Sequence, residues 1–589
     1  MLQIFVNDQQ VDLFDDTEVA ITLEQPMLST DHVPVPYSTD IELPVTSRNR
    51  TIFGFVDRHG RSAAFETFPA RILFGGVSIT SGEIKVSETG ETITAGYNGV
   101  IIPEHIDRMA YRQDLGRISL GKVEIDDDLN IGKAVWQACN NYYKALTNQT
   151  YPDMIAAPVA IDAREAWEIS YVSPDFGPLT KQMSAAEWIN KFDGGNGCYL
   201  PEKGYHADRL SQILPAFRVG WLFDRLLDGR CKKNIFNEGE WRRLMLFSLW
   251  HRHYNPESDA PVYDIDIRFN ASLTFADFMP DKKANEILTE LLKLPCASLY
   301  AKGDAFYVEF NRDILARKTF TDWTDKVDGP LTISEQEPQR YVYGYSRDDD
   351  EISVELMPTG VASVQQIASL DPTSQLEPGT YEISCTGQVI ERVAAEDATG
   401  IGFNVLRQSM NPQQDKDPDD ARSDFEMTFG GSVPKTNICL QESTADNTQG
   451  HRWYYAPQVD EAQTERPDDL AVGLYYGWGT EICWNSKNLR DYPYMSHCNY
   501  DGYGNRLGDL SLSFTANDGL DAYHRDFRAW IEKPKKVVKC NVRLNAVDLH
   551  NLDLRDKVMI NNRLYYINSI TITLRPHTIE PSEAELIEV

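Results

Sequence analysis

Long apolar runs are missing from this chain, and so is any excess of positive charge. No window of its 589 residues approaches the ~20 consecutive apolar residues that a bilayer span requires. The opening "MLQIFVNDQQVDL" lacks the basic and apolar regions of a secretory signal. We therefore expect no membrane span and synthesis in a cytoplasm. Lys and Arg number 57 against 89 Asp and Glu, a net charge of −32. That balance excludes a protein that grips nucleic acid, because the phosphate backbone demands clustered cations. It suits one that lets nucleic acid slide past, since a negative wall repels phosphate. The single basic run, "KPKKVVK" from Lys533 to Lys539, reads as a protected strand edge, not a binding patch. Nine cysteines are scattered and never form a CxxC pair. An odd, unpaired set excludes a zinc cluster or a disulfide framework and points to a reducing compartment.

Catalytic signatures are absent too. There is no GxSxG elbow, no HExxH and no P-loop. "GYGNRLG" (502–508) has no strand-then-helix context and reads as a turn. His251 and His253 in "WHRHY" stand two apart, without a carboxylate or cysteine at ligand spacing, and read as a satisfied surface pair. The acidic runs Asp126–Asp128, Asp348–Glu351 and Asp417–Asp420 lack the spacing of a calcium loop and read as solvated loops. Asp264 and Asp266 share a strand face with Arg268, which fits a charge ladder better than an acid/base pair. The expectation is no catalytic residue, no cofactor and no metal: not an enzyme. An unrecognised hydrolase is the outlying alternative, since convergent sites need not leave a linear motif.

What is present is folded and β-rich. Apolar residues make up 42% and aromatics 11%, well clear of disorder. At ~150 residues per domain the length suggests about four domains. The expected fold class is α+β, mostly β and multidomain. Residues 1–150 open with a hairpin across an Asn-Asp turn and further strand pairs. Within them "YSTDIELPVTSRNRTIFGF" suits an extended arm, because Pro44 cannot donate to a ladder. Residues 151–265 are mixed and suggest an insertion or collar, with a clear helix at Val219, Leu222, Phe223 and Leu226. Residues 266–354 form an α+β module. There Asp281 can cap a helix through Ala284, Ile287, Leu288, Leu291 and Leu292, and a hairpin follows Pro295. Residues 355–510 read as an inserted, loop-rich β domain. Its aromatic stripe, Trp453–Tyr455 and Tyr475–Trp478, reads as core or interface, with a sugar platform as the rival. Residues 511–589 return to regular strands, a helix and the hairpin "KVMINNRLYYI".

Four segments in this order resemble the tail hub (baseplate hub) proteins of tailed phages and prophages, in the form common in phages of Bacteroidetes-type hosts. They are "IFVNDQQVDLFDDTEVAITLEQ" with the arm, "LPAFRVGWLFDRLL", "FMPDKKANEILTELLKLPCASLYAKGDAFYVEF", and the closing stretch from "GLDAYHRDFRAWIEK" to "LYYINSI". Together they cover about half the chain. The resemblance implies tube-like β-barrel domains, two from each subunit of a homotrimer, forming a pseudo-sixfold ring at the end of a tail tube. It also implies a location in the virion, a channel through which DNA passes without specific binding, and contacts with tube or distal tail and tail-tip or fibre proteins. The rivals are a glycan-binding β protein and a six-copy distal tail or baseplate ring.

Overall fold

The computed structural model describes residues 1–58, 67–99, 216–247, 282–303, 305–346, 421–441, 452–459, 469–480, 491–502 and 504–589, with short strand pieces within 117–199, 273–280, 360–412 and 482–483. Strands outnumber helices throughout, and the chain is an α+β protein dominated by β structure.

Thirteen strands form the largest sheet. Seven come from the first hundred residues: β1 (Leu2–Val6), β2 (Gln9–Gln10), β3 (Val19–Glu24), β4 (Tyr37–Pro44), β5 (Thr67–Phe74), β6 (Val77–Thr89) and β7 (Thr92–Gly99). Two come from the middle, β8 (Phe320–Asp322) and β9 (Val327–Gln336). Four come from the end: β10 (Lys535–Val542), β11 (Lys557–Ile560), β12 (Arg563–Leu574) and β13 (Ser582–Glu588). Their order is β2-β1-β5-β6-β7-β4-β3-β12-β13-β10-β9, with β11 also on β12 and β8 on β11. Hairpins at both ends of the chain use the same turn. Asn7 and Asp8 have φ of 49° and 60°, Asn561 and Asn562 of 51° and 63°. Two successive left-handed residues make a type I′ turn, whose twist matches the flanking strands, and Asn and Asp tolerate that region best among non-glycines.

Alternation decides which face is buried. Ile4, Val6, Ile21, Ile72, Ile84, Ile93, Ile570 and Ile572 are at most 2% exposed and share one core with residues of both chain ends. The ladder that joins the two halves is β3 on β12, from Val19 opposite Leu574 to Glu24 opposite Ser569. Among the described residues neither half is a closed barrel. In the N-terminal half the far strand β1 is pinned by Leu2 N donating to Pro576 O at 2.8 Å. In the C-terminal half the end strands β8 and β9 are joined by the 3-10 turn Thr324–Lys326, with Trp323 buried behind it. The tube-like barrels expected from sequence are therefore open sheets with pinned seams. A full ladder would need strands longer than β8, which has only three residues.

The expected arm is also corrected. Tyr37–Pro44 is an interior strand paired along β7, followed by helix α1 (Ser47–Ile52). Pro44 occupies its last position, where a missing N–H costs little. Asn49 then locks the helix down: its Nδ2 donates to Asp12 O and Pro44 O at 2.9 and 2.8 Å.

A second core gathers helices α2 (Val219–Leu226), α3 (Ala284–Lys293), α4 (Asn311–Ala316) and α5 (Asp521–Ile531). All the apolar positions predicted for α2 and α3 are buried. The start of α3 differs from expectation. Lys283 is its N-cap, and Glu286 reaches back to accept from Lys283 N at 3.0 Å. Strands cross the expected domain boundaries in this core. Leu244–Phe247 pairs with Ala471–Thr480, and Val159–Ile161 runs parallel to Arg452–Val459. The described parts of 151–265 and 355–510 thus share sheets. Likewise β8 and β9, grouped by sequence with the α+β module, belong to the large sheet.

Candidate assembly surface

His251, His253, Asp264, Asp266, Arg268 and the acidic runs Asp126–Asp128, Asp348–Glu351 and Asp417–Asp420 lie outside the described residues. Among the described residues no group of three His, Cys, Asp or Glu could hold a metal ion. No helix among them is long and apolar enough to cross a membrane. The 502–508 stretch closes on itself as a turn: Gly504 N donates to Asp501 O at 3.0 Å and Asn505 N to Asp501 Oδ1 at 2.8 Å.

The described part of the aromatic stripe is mostly core. Tyr454 and Tyr455 are 2% and 1% exposed, and Tyr492 OH donates to Tyr455 O from inside the core. Tyr475 and Tyr476 are half-buried, with Tyr476 OH donating to Leu510 O. Among the described side chains of the stripe Trp478 alone stands out, 49% exposed. One ring without a coplanar neighbour offers a sugar little stacking area.

The lysine run is divided by the strand it belongs to. Lys535 points inward, its Nζ donating to Ile531 O and Lys533 O at 3.0 and 3.1 Å and lying 4.6 Å from the Trp530 ring. Burial, helped by the Lys533 charge, pulls its pKa down to about 8. Lys539 points outward and pairs with Glu585 at 2.8 Å. The expected edge protection is corrected: β10 is an interior strand, paired with β13 on one side and β9 on the other, and one lysine of the run is part of the core.

A polar cluster that no sequence motif announces joins the large sheet to the second core. Glu309, on the hairpin strand Ala305–Phe310, has a side chain only 2% exposed. Arg317 Nη2 donates to both its oxygens at 2.9 and 2.8 Å, Arg555 Nη1 to one at 2.7 Å, and Lys233 Nζ lies at 3.2 Å. Arg555 also forks onto Asp553 at 2.9 and 2.7 Å, and Lys302 Nζ reaches the same carboxylate at 3.0 Å. The Arg555 guanidinium lies 3.7 Å from the Tyr307 ring centre. Burial alone would raise the pKa of Glu309 and of Asp553. Their cations outweigh it and hold both carboxyls below their ordinary range. Its sole sequence trace is a carboxylate at an inward register position of an apolar strand.

Among the described residues the large sheet has two edges. At one end β2 is only two residues long, and Val11 N donates to Ile4 O at 2.9 Å, so β1 is covered. At the other end β9 pairs with β10 on one side only among the described residues. Ile333 is 59% exposed and Phe320, on β8, is 50% exposed. Between the large sheet and α2 runs a cleft of about 1500 Å³, whose walls include Phe5, Arg71, Lys85, Trp221, Arg225 and Asp228.

No family model matches the chain, and no curated protein does. Solved structures similar to it include the 43 kDa tail protein of prophage MuSo2 from Shewanella oneidensis, at 7% identity and a TM-score of 0.27, covering 100% of this chain and 98% of that one. A tail protein from Neisseria meningitidis MC58 is similar at 6% identity and a TM-score of 0.26, covering 100% and 96%. A topological model of the P2 virion baseplate in its activated conformation is similar at 9% identity and a TM-score of 0.18, covering 100% and 99%.

Proposed function

We propose that the chain is a structural, non-catalytic component of a phage tail: a hub that closes the tail tube, three copies to a ring, with a lumen through which DNA passes. The observation that carries this reading is the large sheet, assembled from both chain ends as two halves joined by the β3–β12 ladder. A sheet built as two halves, of seven and six strands, suits a ring with twice as many lobes as chains. The net charge of −32 adds a wall to which DNA does not stick. The outer face of the joining ladder is short and polar, with Thr22 opposite Thr571 and Ala20 opposite Thr573, and presents no cation to arrest a phosphate.

Light scattering on the purified chain, followed by imaging of the resulting peak, tests the proposal. Three copies of the 66.9 kDa chain, about 200 kDa, in a ring with a central channel is the expected result. A ring of six copies moves the assignment to the distal tail component. A particle without a channel sinks the hub reading.

A further inference from the structure

We draw no further inference here: the strongest candidate, the cleft of about 1500 Å³ between the large sheet and α2, is walled by side chains of both charge signs, and nothing in the structure shows what covers it.

Discussion

His524 shows how one buried residue makes stability depend on pH. It is fully buried in α5, and its ring lies 5.1 Å from Tyr343. Its Nε2 faces Leu294 O at 3.0 Å, so that nitrogen must carry the proton. Its Nδ1 then accepts from Tyr341 OH at 2.8 Å. Burial lowers its pKa to about 4, and burial with the Lys435 charge lowers that of His497 to about 3. The unfolded chain takes up these protons below its ordinary histidine pKa while the folded chain does not. Stability is thus full above about pH 6.5 and falls on acidification by about 1.4 kcal/mol per pH unit per histidine. Melting temperature measured from pH 7.5 to 4.5 should drop, and His524→Gln should flatten the profile while lowering its plateau. Glu309 acts in the same sense but lower on the pH scale. Its folded pKa is already depressed, so its contribution is complete above the ordinary carboxylate pKa and survives mild acid. Glu309→Gln leaves Arg317, Arg555 and Lys233 short of a buried counter-charge. It should cost on the order of 3–5 kcal/mol, seen as a fall in melting temperature at pH 7.

At the scale of elements, the sequence was most legible where one period ran without interruption. Val219, Leu222, Phe223 and Leu226 specify α2 because helical spacing admits one apolar face, and all four are buried. The I′ hairpins were legible for a local reason as well: turn chemistry is written in adjacent residues. The arm was misread because Pro44 was weighed as a breaker inside a strand, whereas it stands at the strand's end. The cap of α3 moved from Asp281 to Lys283 because Glu286 supplies the hydrogen bond from within the helix. Pairings across hundreds of residues, such as Glu309 with Arg555, leave no local pattern at all. The β6–β7 ladder offers a clean test of backbone closeness. A Cβ added at Gly82 would stand 1.9 Å from Asn98 O, so the strands would have to part. Gly82→Ala should lower the melting temperature by several degrees, whereas Gly90→Ala, with open space around it, should leave it nearly unchanged.

For the whole molecule, the decisive feature is that its first strands are completed by its last. Gln25 N donates to Asn568 O, Gln25 Nε2 to Leu554 O and Ile567 O, and Arg575 pairs with Glu18 at 2.7 Å. Deleting residues 563–589 strips β12 from β3 and releases Leu2. Such a chain should expose residues 1–99 to protease and fail to assemble. Supplying 535–589 as a separate polypeptide should restore protection in part, since the missing ladder is intermolecular hydrogen bonding of the same kind. Unrestored digestion of residues 1–99 would mean that the C-terminal strands fold only when covalently attached.

That closure also sets a clock. At roughly 5–20 residues per second, a ribosome that has finished β7 at Gly99 needs roughly half a minute or more to reach β12. Over that interval the nascent N-terminal strands have one flank open, a demand that falls on the chaperones of the cell that makes the chain. When β12 arrives it does more than add a strand: it reports that synthesis has passed residue 574. A fragment that stops short of β12 has nothing to set beside β3, and so carries no finished sheet into any assembly.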